Sequence, residues 1–311
     1  MNKINPKILV VGDIILDHYL SGDTNRISPE APVPIVEFTE EKWVLGGAAN
    51  VANNLNSIGA DVTLSGIIGD DENGDIVRKI LIHKGINEQF ISSKSRRTTI
   101  KTRVISENHQ LLRIDKEDRF SINKYEEIEL IEKFSLNINE FDCVIISDYN
   151  KGLLTNTFIK TIIDLSHKSK IKVFIDPKQP PFAKYSGAYL VKPNRKEAMQ
   201  ETGIFIDNEK SFSIVANQIQ ESTNCEAVVI TLSEDGVGLF EKGKTKILPT
   251  KAKEIFDVTG AGDTFIATLV YSMARGKSLE ESCEIANFAS GIVVGKHGCV
   301  PIEYKEIEAK F

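Results

Sequence analysis

A chain of 311 residues with 41% hydrophobic and 26% charged residues has the composition of a globular protein with a sizeable core. Its net charge of −6 argues against a general nucleic-acid binder, and no apolar run reaches the length of a membrane span, so neither nucleic acid nor membrane is an expected partner. Met1 to Pro6 does not read as a signal peptide. The four cysteines (Cys143, Cys225, Cys283, Cys299) stand far apart without metal-type spacing, which fits reduced thiols in a cytoplasmic protein.

In chain order, Lys7 to Gly12 is a short apolar run ending in glycine and reads as a buried parallel strand. Asp13 follows at its carboxyl end, where open α/β sheets bind ligands. Together with Asp17 it suits a sugar hydroxyl, because a carboxylate only accepts hydrogen bonds. A turn aspartate satisfied by local N–H groups is the equal alternative. Tyr19 to Val44 carries Pro29, Pro32 and Pro34, which forbid helix and mark an extended excursion from the main sheet. Gly46-Gly47-Ala48-Ala49-Asn50 then permits close approach of backbone to a ligand, or simply closes a helix–sheet contact. Asn50 falls in the first turn of the following helix. A strand is expected over 61–68 and a helix over 73–84. Lys94 to Arg103 contains five basic residues and no acid. It is either a solvated strand face or a pocket for an anionic group, and Arg97, Lys101 and Arg103 alternate as if sharing one strand face.

From Tyr125 the pattern becomes a regular alternation of helix and strand. Strands over 142–147, 172–175, 188–191 and 227–231 each end in polar residues: Asp148 to Gly152, Asp176-Pro177-Lys178, Lys192 to Glu197 and Leu232 to Gly236. Repeated strand–polar loop–helix units predict a mostly parallel, doubly wound sheet with its polar residues on one rim. Asn194-x-x-Glu197 has the local form of a helix N-cap with a glutamate in the first turn. Gly238 to Thr245 matches the letters of a Walker A phosphate loop, but Leu239 and Phe240 extend a strand, and 245–249 reads as the return strand of a hairpin.

The most informative stretch is Glu254 to Gly276. Ile255 and Phe256 read as a strand end, and Phe265, Ile266, Leu269, Val270 and Met273 recur at helical spacing up to Gly276. Gly260-Ala261-Gly262 therefore opens a buried helix, whose first N–H groups and dipole make an anion site. Asp263 would repel an anion there unless it has chemical work. A base for an alcohol nucleophile beside donors for a transferring phosphoryl group is the reading that uses both features. A helix N-cap on a tight turn is the local alternative.

Gly46-Gly47-Ala48-Ala49-Asn50 and Asp257-x-x-Gly260-Ala261-Gly262-Asp263 follow one another in that order, about two hundred residues apart. Together they resemble the two signatures of the ribokinase-like (PfkB) carbohydrate kinases. The resemblance spans nearly the whole chain. It implies an α/β ribokinase-like fold, a doubly wound, mostly parallel sheet flanked by helices with a small β-sheet lid. The expected organisation is one kinase domain over 1–311, without a nucleotidyltransferase domain, its lid built from about 19–45 and 95–115 and joining two copies as a homodimer. The resemblance gives Gly260, Ala261 and Gly262 the anion hole and Asp263 the base. Gly46, Gly47 and Asn50 hold the sugar. Asn194 and Glu197 serve ATP and Mg²⁺, Glu197 through water. Ser233, Gly236 and Asn287 lie near ATP, and Val293 to Gly295 form a K⁺ site. Arg97, Lys101, Arg103 and Lys151 are then candidates for a substrate phosphate, and Lys178 and Lys192 for ATP.

Val11 to Asp17, Arg26 to Pro34, and Ser147-Asp148-Tyr149-x-Lys151-Gly152 further resemble the heptose 7-phosphate kinases within that family. These phosphorylate the anomeric hydroxyl of D-glycero-β-D-manno-heptose 7-phosphate on the way to ADP-heptose for bacterial surface glycans. A kinase for a neutral sugar such as ribose or fructose, and a silent sugar-binding protein on the same fold, are the alternatives.

Overall fold

The structure is a computed structural model and describes residues 5–107, 109–250, 256–296 and 298–311. The apolar run after Pro6 becomes β1 (Lys7–Gly12), from which the chain leaves through two long strands, β2 (Ile14–Ile27) and β3 (Pro34–Gly47), to enter helix α1 (Ala48–Ser57). Strand β4 (Asp61–Gly69), helix α2 (Glu72–Lys84) and strand β5 (Asn87–Ser93) follow. A second excursion forms the hairpin β6 (Thr99–Ser106) and β7 (His109–Lys116). Regular alternation then gives α3 (Lys124–Asn137), β8 (Cys143–Ser147), α4 (Asn156–Lys168), β9 (Lys172–Asp176) and β10 (Leu190–Val191). Next come α5 (Arg195–Thr202), α6 (Glu209–Thr223) and β11 (Ala227–Thr231). Hairpin β12 (Val237–Glu241) and β13 (Lys244–Leu248) precedes α7 (Ala261–Ala274), α8 (Leu279–Val293) and α9 (Tyr304–Ile307).

The nine-stranded sheet has the order β13-β12-β11-β10-β9-β8-β1-β4-β5 and is parallel from β11 to β5, with the β12–β13 hairpin antiparallel at one edge. Successive side chains of a strand point to opposite faces, so β1 feeds two cores. Ile8 and Val10 pack with Val51, Leu55, Phe265 and Leu269 on one side, while Leu9 and Val11 pack with Phe158, Ile162, Phe212 and Ile219 on the other. Because both faces are covered, the strands read as continuous apolar runs rather than alternating ones. Helix α7 is buried over most of its length, as a helix apolar on nearly every side must be. Among the described residues no helix is long and apolar enough to cross a membrane.

The two excursions meet in a separate four-stranded sheet, order β3-β2-β6-β7. Register sets Asp17 beside Lys101 and Tyr19 beside Arg103, and across the hairpin Lys101 beside Asp115 and Arg103 beside Arg113. Residues opposite one another share a face, so this face is charged. The other face carries Leu112 and Ile114, both more than half exposed.

Several expectations change. Arg97 precedes β6 and so does not alternate with Lys101 and Arg103 on its strand face. The strand expected over 188–191 pairs as a strand only at Leu190–Val191. Ile255 lies outside the described residues, and Phe256 sits in an exposed bend rather than a strand. The Walker-like letters fall on the β12–β13 hairpin, with Lys242 and Gly243 at positive φ in its turn, so no phosphate loop forms there.

Candidate active site

Helix α7 begins at Gly260, whose φ of 79° is left-handed, a conformation glycine adopts without strain. A Cβ at this position would stand 2.8 Å from Cys299 Sγ and 3.0 Å from Asn50 Nδ2. No side chain caps the helix, which leaves first-turn amides without an intrahelical partner. Gly260, Gly262 and Asp263 border a cavity of about 610 Å³ that also touches Tyr149, Asp176, Lys178, Lys192, Asn194 and Glu197. A neighbouring cavity of about 360 Å³ is lined by Ser233, Gly236, Ala261, Phe265, Asn287 and Val294. The two meet at Gly262 and Ser233.

Asp263 is buried, and each of its carboxylate oxygens accepts a hydrogen bond. Asn50 Nδ2 donates to Oδ2 at 2.7 Å, and the Tyr149 hydroxyl donates to Oδ1. Burial pushes its pKa upward, against the pull of Tyr149, Asn50 and Lys192. The Asn50 amide is itself oriented, because Asn54 Nδ2 donates to Asn50 O at 2.9 Å and to Asn50 Oδ1 at 3.3 Å. Thr264 Oγ1 in turn donates to Asn54 Oδ1 at 3.0 Å, which ties α1 to α7.

Opposite the α7 N-terminus, Lys192 forms a 2.9 Å ion pair with Asp176, and both are well sheltered. Burial raises the Asp176 carboxyl to about 7 despite this partner. Asn194 and Glu197 form a reciprocal capping box on α5, so the local reading of Asn-x-x-Glu holds. Glu197 accepts from the Asn194 N–H at 2.9 Å through Oε2 and faces Lys178 Nζ at 3.4 Å through Oε1. Asn287 Nδ2 donates to Pro249 O at 2.7 Å. The Val293 and Val294 carbonyls accept backbone N–H groups of Lys296, and of Phe256 and Asp257. Among the described residues no group of three His, Cys, Asp or Glu side chains is arranged to hold a metal ion directly.

Asp13 is used differently from a free sugar-binding carboxylate. Its Oδ2 accepts the N–H groups of Tyr149 at 2.9 Å and Lys151 at 3.1 Å, and its Oδ1 that of Leu153 at 3.4 Å. Burial next to Asp148 raises it to about 6. Gly46 and Gly47 lie against the two aspartates: a Cβ on Gly46 would meet Asp17 Oδ2 at 2.3 Å, and one on Gly47 the Asp13 carbonyl at 2.6 Å. Among the basic residues, Arg103 pairs with Asp17 at 2.6 Å and Lys151 with Glu117. Arg97 is half exposed and pairs with Asp118 at 3.1 Å, away from the cavity lining. Lys101 is half-buried and, among the described residues, has no ion pair; burial lowers its pKa.

Three residues of the site carry no role in the sequence reading: Tyr149, Asp176 and Asn54. The usable signals were the strand-end positions of the first two and the i, i+4 spacing of Asn50 and Asn54 on a helix of small residues.

The sequence model for the pfkB family carbohydrate kinase matches residues 5–305. The bifunctional protein HldE of Sulfurimonas denitrificans is 45% identical over 309 residues, covering 99% of this chain and 65% of that protein. HldE of Helicobacter pylori strain J99 is 45% identical over 302 residues, covering 97% of this chain and 65% of that protein. The chain thus spans somewhat less than two thirds of these relatives. Phosphofructokinase-2 from Escherichia coli in complex with potassium superposes with a TM-score of 0.81 at 19% identity, over 99% of this chain and 98% of that one. Arabidopsis thaliana ribokinase complexed with ribose and ATP gives 0.76 at 18% identity, over 99% of both chains. At such identities the likeness is one of fold.

Proposed function

The chain belongs to the pfkB family of carbohydrate kinases and is an ATP-dependent sugar kinase, and on that premise we propose that its acceptor is D-glycero-β-D-manno-heptose 7-phosphate, converted to the 1,7-bisphosphate. Likeness to the HldE proteins over the part of their length that this chain spans supports the reading. So do the sequence blocks that resemble heptose 7-phosphate kinases. The observation that carries it is Lys101. A half-buried ammonium without a carboxylate partner is costly in an empty site, and a phosphate on the acceptor supplies the missing anion. Asp17 and Asp115 flank it and favour its charged form, while Lys151 and Arg113 oppose it, and neither carboxylate is within ion-pair distance.

In this reading Asp263 accepts the proton of the anomeric hydroxyl as that oxygen attacks the γ-phosphorus of ATP. The bond from that phosphorus to the β–γ bridging oxygen breaks, and ADP leaves. The Gly260, Gly262 and Asp263 amides and Lys192 face the charge that develops on the transferred group, the Ala261 N–H being held by the Val258 carbonyl at 3.2 Å. Asn50 and Gly47 shape the acceptor side, and Asp17 and Arg103 bound it. Phe265 and Asn287 border the cavity that suits the base of the nucleotide. Glu197 lines the cavity beside the buried Lys192–Asp176 pair, a lining that fits Mg²⁺ carried on the nucleotide phosphates and held through water by Glu197. Such an ion would neutralise phosphate charge. The same proposal takes K⁺ as an activator near Val293 to Gly295, a cytoplasmic location, and a homodimer joined through the exposed face of the small sheet.

The test is ADP release from ATP and Mg²⁺ with heptose 7-phosphate, ribose, fructose or no sugar. Turnover with the phosphorylated heptose alone is the expected result. Arg103 and Lys151 already hold carboxylate partners, which is the observation favouring a neutral sugar. Turnover with ribose or fructose but not the heptose phosphate selects that reading instead.

A further inference from the structure

We propose that Tyr149 is a positioning residue for phosphoryl transfer, acting through Asp263: its hydroxyl fixes the plane of the carboxylate and leaves the second lone pair of Oδ1 to the acceptor hydroxyl. The inference rests on the reading of Asp263 as the base. Its ground is the way the Tyr149 backbone is held. Asp13 accepts its N–H at 2.9 Å and that of Lys151 two residues on. Asp148, the residue before it, accepts the Asn150 N–H at 2.7 Å and is fixed from outside by Lys184 Nζ at 2.8 Å and the Tyr185 hydroxyl at 2.6 Å. The loop therefore has little freedom, and the tyrosine side chain borders the larger cavity with its hydroxyl on Oδ1.

The second oxygen is taken by Asn50 from a different element. A carboxylate oxygen offers two lone pairs, so two donors arriving from α1 and from the β8 loop set its orientation without filling it. That arrangement matches what an in-line transfer needs, a base held in one direction before the acceptor arrives. Tyr149 also acts on proton affinity. The titratable groups around Asp263 are Lys192 at the end of β10, Asp176 at the end of β9, Asp17 on β2, and the nearby Cys299, whose thiol burial keeps neutral. All of them remain when the tyrosine hydroxyl alone is removed. A donor to the ionised form lowers a carboxyl pKa, so its loss raises the pKa and shifts the acid limb of the rate profile upward.

The experiment compares Tyr149→Phe with the unaltered enzyme in kcat, both KM values, and the pH dependence of kcat/KM. The expected result is a kcat lower by roughly tenfold, with the acid limb moved up by about one pH unit, the size of one hydrogen bond to a charged group. KM for ATP stays within about twofold, since no nucleotide contact is removed. An unchanged kcat and limb overturns the proposal, and so does a lower kcat with an unmoved limb, which is mere structural damage. Should Tyr149→Phe fail to fold by thermal melting, 3-fluorotyrosine incorporated at position 149 keeps the hydroxyl and makes it a stronger donor. The acid limb then moves down, and an unmoved limb overturns the proposal. Asp263→Asn run alongside separates the two ideas. If it keeps near-normal turnover, the base assignment fails; if it is inactive while Tyr149→Phe is normal, only the tyrosine assignment fails.

Discussion

Asn50 and Asp263 stand 213 positions apart and are joined by a 2.7 Å hydrogen bond inside the protein. That bond links the helix that opens after the Gly-Gly pair to the helix that opens after Gly260. It makes the two glycine-rich stretches one site. The Asp263 carboxylate is consequently ordered before any substrate arrives.

Replacing Asp263 by Asn keeps the volume and removes the proton acceptor. Turnover is expected to fall by roughly 10²–10⁴-fold with the fold retained. Steady-state ADP release and circular dichroism check both halves, and a near-normal rate would remove Asp263 as the base.

Lys101→Met removes a half-buried cation of the small sheet that has no ion pair among the described residues. KM for the phosphorylated acceptor is expected to rise by about tenfold or more, the scale of one charge-assisted hydrogen bond, while KM for ATP is little changed. The melting temperature should not fall, since a half-buried charge without a partner has been removed. Parallel steady-state titrations of both substrates decide it, and equal effects on the two KM values would count against Lys101 as the phosphate contact.

Asp176 has a folded-state carboxyl raised to about 7 from an ordinary 3.8. Between those values the folded protein keeps a proton that the unfolded chain has released, so this group makes stability fall as pH rises through that window. Asp176→Asn abolishes the titration. The melting temperature of the variant relative to the parent should therefore climb from about pH 4 to about pH 7 and then level. A difference independent of pH would show that Asp176 does not titrate there.

Gly260→Ala places a Cβ at a left-handed φ of 79° and against Cys299 Sγ and Asn50 Nδ2. The strain alone costs about 1–2 kcal/mol, and the displaced Asn50 amide loosens Asp263. Both a lower melting temperature and a lower kcat are expected. Chemical denaturation and kinetics on one preparation measure the pair, and an unaltered melting curve would contradict the packing at this turn.

Much of this was legible in the chain itself. The apolar runs at Ile8 to Val11 and Ala227 to Ile230 had to be buried strands, because water-exposed strands alternate and these do not. Asp257 to Thr264 announced a glycine-opened helix with a carboxylate at its mouth, since backbone freedom and helix polarity are local properties. Local logic also decided Asn194 and Glu197, whose capping box needs only four consecutive residues. What one stretch of chain leaves open is which charges meet. Five basic residues within ten offered a single anion pocket as one reading, yet Arg97 falls outside β6 and pairs with Asp118, and Arg103 is matched by Asp17, while Lys101 has no ion pair among the described residues; Lys151, from another loop, is matched by Glu117. Asp13, legible as a strand-end carboxylate, was claimed by the backbone of a loop 136 to 140 positions away. Tyr149 reached Asp263 only because β8 lies beside β1 and the rim loops converge there. Periodicity and glycine placement act over a few residues and survive in the sequence. Ion pairs and hydrogen bonds act over a few ångströms, and the partners within that reach are chosen by strand order and register, which only the tertiary structure decides.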